Sequence, residues 1–429
     1  MIRHASVLLA YWQAKRLRFD SRAALEHHQR RKLCEFISTR LTRSPYFAPY
    51  VRAPFHAWPT MSKADMMAHF DRMNTAGLKL ADVLACALDA ERTRDFSRTV
   101  KGYSVGLSSG TSGSRGAFVV SPAERAAWAG VMLARLLPRG LFAGERVALF
   151  LRANSNLYGT VRSPWLSFEF FDLLQPLAEQ RERLERYAPT IIVGPAQVLR
   201  ALAQAKREGR LMTGPRMVVS SAEVLEPFDR EFLNQSLAPV AEVYQATEGF
   251  LGSTCAHGTL HLNEAHVYIE PQWLDERRFV PLITDFSRTT QPIVRYRLDD
   301  ILVRRADSCS CGSHEMALER IEGRCDDALR LPGRDGVQIE VFADALSRAI
   351  AQVLPLASDY RLMQTNNVAL TLHVAGTREA LDNCQAHLQA FLARQGVDTS
   401  QLVWTLASEL PSIDFTAKRR RIVRREVNR

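Results

Sequence analysis

Three stretches of this sequence hold side chains of the types, and at the spacings, that bind phosphate or metal. Residues 107–116 read Leu-Ser-Ser-Gly-Thr-Ser-Gly-Ser-Arg-Gly. Glycines at 110, 113 and 116 permit close backbone approach, and the hydroxyls and N–H groups between them can donate to an anion, so the loop reads as a phosphate cradle. It lacks the Gly-Lys-Ser/Thr ending of the P-loop NTPase motif. A small-residue turn between two strands has the same composition, so the loop gains meaning only beside the other two stretches. A short apolar run, residues 240–244, delivers Thr247 and Glu248, a hydroxyl and a carboxylate at a strand end, suited to a phosphate and Mg²⁺. Finally, Cys309-Ser-Cys311-Gly follows Cys255, His257 and His261 by some fifty residues. Three thiolates and one imidazole make a closed, structural Zn²⁺ site. The favoured set is Cys255, His261, Cys309 and Cys311, with His257 or His314 as alternatives for the histidine. Free thiols in a loop are the competing reading.

The elements that must position these groups follow from patterning. A chain of 429 residues exceeds one compact core, and two or three domains are expected. Residues 1–100 carry helical spacing of Leu and Phe among arginines and lysines. Strand-like runs at 146–151, 190–194, 217–221 and 240–244 alternate with helical stretches at 123–137, 195–205 and 227–237, which predicts a parallel sheet covered on both faces. Residues 152–158 end the first of those strands, where ligands gather in such sheets. Past residue 250 the strands become short and alternating, at 260–262, 266–270, 279–284 and 293–297, a β-rich part reaching to about 325. A polar break at 324–327 is followed by a helix over 339–353, a strand over 367–374 and a helix over 377–395. The fold class is therefore α/β: a large N-terminal domain, 1–325, with parallel sheets flanked by helices plus a small β-rich subdomain, and a separate small α+β C-terminal lid domain, 326–429.

Composition sets bounds on function. The 56 basic and 46 acidic residues leave a net charge of +10, but six of the basic residues stand in the tail 418–425. Such a run suits nucleic acid, an anionic membrane, an anionic cofactor or plain solvation. Seven cysteines, an odd number without a secretion pattern, do not form a disulfide framework. Cys34, Cys86, Cys325 and Cys384 read as packing residues. The apolar stretch 6–12 is far short of the roughly 20 residues a membrane span needs. These readings place the protein in the cytoplasm, with no membrane or nucleic-acid partner; the oligomeric state is not legible.

Taken together, Ser108-Ser109-Gly110-Thr111-Ser112-Gly113, Tyr244-Gln245-Ala246-Thr247-Glu248 and the run from Ile293 through Tyr296 to Asp300 stand in the order and approximate spacing of the adenylate-forming superfamily. The chain resembles the branch of phenylacetate-CoA ligase and coenzyme F390 synthetase. Supporting matches are Ser44-Pro45-Tyr46, the junction 320–327 and the C-terminal lysine, so the resemblance spans nearly the whole chain. It implies a two-step reaction: a carboxylate attacks the α-phosphorus of ATP to give an acyl-adenylate and pyrophosphate, and a thiol then takes the acyl group. By that resemblance Ser108 to Gly113 would hold the β- and γ-phosphates, helped by Arg115. Thr247 would contact the α-phosphate, Glu248 would bind Mg²⁺, and Tyr244 would stack near adenine. Asp300 would take the ribose hydroxyls with Arg324 nearby, Asp326 would be the hinge, and Lys418 would bridge substrate carboxylate and phosphate.

The sequence also departs from that pattern. Arg115 and Gly116 stand where the loop usually continues with proline and lysine, Ala417 replaces the glycine before Lys418, and residues 154–171 do not resemble the usual acyl-pocket stretch. An aromatic or similarly hydrophobic carboxylic acid is expected without further identity. By the resemblance CoA is the expected acceptor, with a carrier-protein (acyl carrier protein) phosphopantetheine or an amine as alternatives. Two rival readings are a zinc-containing nucleic-acid-binding protein working through its basic tail, and a degenerate relative that binds nucleotide without turnover.

Overall fold

The computed structural model of the chain describes residues 2–108, 116–151, 165–324, 328–411 and 420–424. Its centre is one large mixed sheet. Five parallel strands lie side by side in the order Leu166–Asp172, Glu145–Leu151, Ile191–Gly194, Met217–Ser221 and Val240–Ala246. Their apolar runs have the character of strands covered on both faces: Ala148, Phe150, Ile192 and Val218 are all 0% exposed. The helices Pro122–Leu136, Ala196–Arg207 and Pro227–Ser236 supply the cover. The first of these starts on a capping box, in which Ser121 and Glu124 satisfy each other's backbone N–H groups, with Pro122 opening the helix.

From Val240–Ala246 the sheet continues without a break, now antiparallel, through Gly249–Thr254, Leu260–Leu262, Ala317–Arg324, Asp300–Arg304, Arg278–Asp285 and Val267–Trp273. The β-rich part is thus an extension of the α/β sheet, and the hairpin carrying Thr247 and Glu248 is the joint between them. A second, three-stranded antiparallel sheet contains Tyr103–Leu107 and Ala117–Val120, the two arms of the glycine-rich loop.

After residue 328 a small α+β unit has its own core, with Leu346, Ile350, Leu362, Leu372, Leu388 and Leu392 all 0% exposed. Its sheet runs Val403–Ala407, Ala369–Val374, Tyr360–Gln364, Ile422–Arg424. Two local expectations change. The helix predicted over 339–353 begins later, at Ala343–Ala351, because Gln338–Val341 pairs antiparallel with Leu329–Pro332. Of the strand predicted over 293–297 only Tyr296–Arg297 forms, while Ile293 and Val294, each 1% exposed, are spent on the core. Among the described residues no helix is long and apolar enough to cross a membrane.

Candidate functional site

The glycine-rich loop is closed at its base. Leu107 pairs with Ala117, the Ser108 N–H donates to the Gly116 carbonyl at 2.7 Å, and the Gly116 N–H donates to Ser108 Oγ at 2.8 Å. Ser108 is therefore spent, at least in part, on holding the two arms together. Ser109, Gly110, Thr111, Ser112, Gly113 and Arg115 lie outside the described residues, as do Asp326, Lys418 and the segment 152–158, and the Arg324 side chain is not described either.

Thr247 and Glu248 form the two-residue turn between Val240–Ala246 and Gly249–Thr254, since Ala246 pairs with Gly249. Gly249 lets Asp285 come close to that turn, since a Cβ there would sit 2.5 Å from Asp285 Oδ2. Glu248 is 8% exposed, and among the described residues it has no hydrogen-bond or ion-pair partner. Its stem is packed while its carboxylate oxygens keep some contact with solvent, which leaves them open to a cation. A glutamate-and-threonine turn with this property fits a hard cation such as Mg²⁺, which prefers oxygen ligands and keeps part of its water shell.

What couples this turn to the loop is a strap, residues 285–291, that sequence reading did not single out. Arg288 donates from Nη1 to the Thr247 carbonyl at 3.0 Å and from Nη2 to the Val119 carbonyl at 3.4 Å. One guanidinium thus spans the hairpin turn and the strand leaving the loop. Gln291 accepts the Val119 N–H at 2.8 Å and donates to the Ala117 carbonyl at 3.1 Å. Glu124 Oε1 takes the N–H groups of Thr289 at 2.5 Å and Thr290 at 2.6 Å. Burial alone would push the Glu124 carboxyl up, but those donors, the Ser121 N–H and the Arg288 charge outweigh it and hold it below its ordinary value. The signals were present as a Ser121-x-x-Glu124 capping box and an Asp285-x-Ser287 turn, in which Asp285 Oδ1 accepts the Ser287 N–H at 2.7 Å and hydroxyl at 2.6 Å.

Asp300 opens a strand beside Arg324, with which it pairs in register. Tyr244 reaches it from the neighbouring strand system, its hydroxyl donating to Asp300 Oδ2 at 2.8 Å. The Tyr244 ring is 7% exposed and belongs to the core built on Leu251, Leu262 and Tyr296. That core packs it, and its hydroxyl meets Asp300.

Between the helix Pro122–Leu136 and the strand ends lies a narrow cavity of ≈ 100 Å³. Trp128, Met132, Leu151, Val193 and Val243 line it, and Ser221 and Gln245 supply its polar edge at the carboxyl ends of two strands. Gln245 is two residues before Thr247, so the polar edge of this slot lies near the strand end that carries the hairpin turn, where ligands of parallel sheets gather.

Half of the cysteine cluster follows the turn closely in sequence, Cys255 standing seven residues after Glu248, and it is built on the same sheet. The ligand atoms of Cys255, His261, Cys309 and Cys311 all lie within 4.8 Å of one another. Cys255 Sγ and Cys309 Sγ are 3.8 Å apart, and Cys311 Sγ is 3.4 Å from His261 Nε2. These approach the edges of a tetrahedron around Zn²⁺, about 3.8 Å for S···S and about 3.6 Å for S···N. His261 Nδ1 lies 3.1 Å from the Glu315 carbonyl, the outer partner that turns the other ring nitrogen toward a metal. His257 instead faces Ser310 Oγ at 3.0 Å, and neither it nor His314 joins the group. The loop is pinned by two forked arginines: Arg135 to Glu315 at 2.6 and 2.7 Å, and Arg22 to Glu264 at 2.6 and 2.8 Å. Of the other cysteines, Cys384 is buried as a packing residue, whereas Cys34 is exposed on its helix.

No family model and no curated protein sequence matches the chain. Solved structures do match. A 2-hydroxyisobutyryl-CoA ligase in the postadenylation state, bound to R3-HIB-AMP, aligns at a TM-score of 0.66 and 16% identity, covering 94% of this chain and 89% of that one. The amide bond synthetase McbA from Marinactinospora thermotolerans aligns at 0.51 and 13% identity, covering 74% and 68% of the two chains. The anthranilate CoA ligase AuaEII with anthranoyl-AMP aligns at 0.50 and 12%, covering 73% and 66%. The chain has the fold of the adenylate-forming ligases.

Proposed function

We propose that this protein activates a hydrophobic carboxylic acid with ATP, forming an acyl-adenylate and pyrophosphate, and passes the acyl group to the thiol of CoA or of a carrier-protein phosphopantetheine, as phenylacetate-CoA ligases do. The observation that carries the reading is Glu248: a carboxylate without a described partner on a largely buried residue, in a turn that Arg288 ties to the arm of the glycine-rich loop. A turn tied to the strand that leaves the loop is suited to an enzyme that must stabilise charge moving between phosphates. In this reading Ser109 to Gly113 and Arg115 receive the β- and γ-phosphates, Thr247 the α-phosphate, and Glu248 holds Mg²⁺, which would neutralise phosphate charge when bound. Asp300, oriented by Tyr244 and with Arg324 beside it, takes the ribose. Lys418 meets the substrate carboxylate and Asp326 serves as the hinge. The slot under Trp128 takes the apolar part of the acid, and the Cys255, His261, Cys309, Cys311 set holds a structural Zn²⁺ with no open position for chemistry. The reading is tested by acid-dependent pyrophosphate release with ATP and Mg²⁺ over a panel of aryl and fatty acids, with CoA, a phosphopantetheinylated carrier or an amine as acceptor.

Two further outcomes are expected. Asp300→Asn removes the charged acceptor for the ribose, and hydrogen bonds to charged groups contribute about 1.5–3 kcal/mol, so the KM for ATP should rise about ten- to hundredfold with a smaller change in kcat. Tyr244→Phe should give a weaker change in the same direction; steady-state kinetics at varied ATP checks both, and an unchanged ATP KM in Asp300→Asn would remove it from the nucleotide site. Trp128→Ala should shift preference toward bulkier acids, because added apolar substrate surface in such a slot changes selectivity by about 1–3 kcal/mol per methylene. Competition between acids of graded length reads this out, and an unaltered order of preference would separate the slot from the substrate.

A further inference from the structure

One outer face of the large unit is apolar and cationic at once. The helix Ile2–Arg16 packs on Pro122–Leu136 through Val7, Tyr11 and Ala14. The crossing is close, since a Cβ on Gly130 would lie 2.5 Å from Ala10 Cβ and 2.7 Å from the Tyr11 nitrogen. At 3.6 residues per turn that seating turns Leu8, Leu9 and Trp12 outward, the least exposed of them at 42%. The loop beside the helix continues the face. The Tyr11 hydroxyl is hydrogen-bonded to the Leu141 backbone, and next to Leu141 stands Phe142, edge to face with Trp165 at 5.4 Å, each ring half exposed or more. The accessible charge around these side chains is positive. Lys15, Arg16, Arg18 and Arg139 have no ion-pair partner among the described residues, the first carboxylate in the chain is Asp20, and Glu145 near Phe142 is buried and paired with Arg216. Burial, with the charges of Arg18 and Arg135 beside it, holds the Lys15 amine below its ordinary value.

We propose that this face rests on a bilayer surface that carries anionic lipid. Leu8, Leu9 and Trp12, with the Phe142 and Trp165 rings, enter the headgroup layer, while Lys15, Arg16, Arg18 and Arg139 meet lipid phosphates. Leucine and aromatic side chains on one helix face, with lysine and arginine beside them, are the composition that lies in the plane of a membrane surface. Tryptophan suits that boundary because its ring sits in apolar matter and its N–H in water. Such seating requires no spanning segment, so the short apolar stretch at 6–12 that ruled out a span is compatible with it. Charge complementarity selects this occupant over two others. In a symmetric pair of chains the same patch meets itself, which brings one cationic set up against another. A nucleic acid would take the arginines but leaves Leu8 and Leu9 without a partner, since its unpaired bases stack on aromatic rings. Anionic lipid satisfies both kinds of side chain.

The test is flotation of the full chain with vesicles of phosphatidylcholine alone and of phosphatidylcholine mixed with phosphatidylglycerol. The wild type should float with the anionic vesicles, little with the neutral ones, and less as salt is raised. Leu9→Ser with Trp12→Ser separates the apolar contribution from charge, because net charge is unchanged and both side chains stand outside the core. Its affinity for the anionic vesicles should fall about ten- to hundredfold, from the lost burial of one leucine and one tryptophan. Arg16→Gln with Arg18→Gln should weaken binding about fivefold for each arginine removed, and it keeps the test open if the serine variant does not fold. Equal affinity of the serine variant and the wild type would reduce the binding to charge alone and overturn the proposal. So would a wild type that floats with neither vesicle. Sedimentation velocity in which the wild type pairs and the folded serine variant does not would give the face to a second copy, which also overturns it. No arm depends on turnover, so the result stands apart from which acid the protein activates.

Discussion

Glu248→Gln is expected to lower acid-dependent pyrophosphate release about a hundred- to a thousandfold while leaving the protein as stable as before. The first part follows from where the carboxylate stands. It is 8% exposed at the hairpin tip, on a turn fixed by Arg288 and by the close approach of Asp285 to Gly249. A preorganised charge in such a place, removed without change of shape, typically costs about 3–4 kcal/mol of transition-state stabilisation. The second part separates this role from a structural one. Among the described residues Glu248 has no partner to lose, and replacing a carboxylate that keeps solvent contact and lacks a protein partner by a neutral isostere costs little. Melting temperature and pyrophosphate release measured on the same preparation check the prediction. A variant that keeps activity, or one that loses activity only in proportion to lost stability, would take Glu248 out of the site.

Cys309→Ser is expected to have the largest effect on stability. A chain prepared with zinc available should carry about one equivalent of metal, and the variant little. Closed zinc sites contribute folding free energy directly, about 10–16 kcal/mol in isolated fingers. Only part of that bears on a domain with a core of its own, so a fall in melting temperature of about 5–15 °C is expected, with a similar fall on chelation of the wild type. Turnover below the melting range should be little changed, because four protein ligands leave no position for substrate. Metal analysis by mass spectrometry and thermal unfolding check both halves. Absence of zinc from a metal-replete preparation, with Cys309→Ser melting like the wild type, would return the cluster to free thiols.

Much of the architecture was legible because it rests on local pattern. Apolar runs such as Val147 to Phe150 and Ile191 to Val193 are long enough to mark buried parallel strands, and the prolines and capping residues that follow mark their helices. The Cys255, His261, Cys309, Cys311 grouping was legible from spacing as well. Other features depend on partners far away in the chain. Gln338–Val341, helical by local pattern, is a strand because Leu329–Pro332 pairs with it. Arg288 carries no motif of its own; its meaning comes from the Thr247 and Val119 carbonyls, and no local pattern pairs those. The basic tail shows the limit most clearly. Read along the chain, Arg421 is one cation in a run that a nucleic acid could neutralise. In the fold it is buried between Asp229 and Glu226, so that charge is unavailable to a polyanion. The bond from the Tyr244 hydroxyl to Asp300 likewise joins two motifs that are 56 residues apart in the chain.

The most direct test of the central claim is isotope exchange between pyrophosphate and ATP in the presence of Mg²⁺, acid by acid, without any acceptor. Exchange that requires one class of apolar carboxylic acid, and that collapses in Glu248→Gln, is the expected result. Exchange that never depends on an acid, in a preparation that binds ATP, would contradict carboxylate activation and favour a nucleotide-binding relative without turnover.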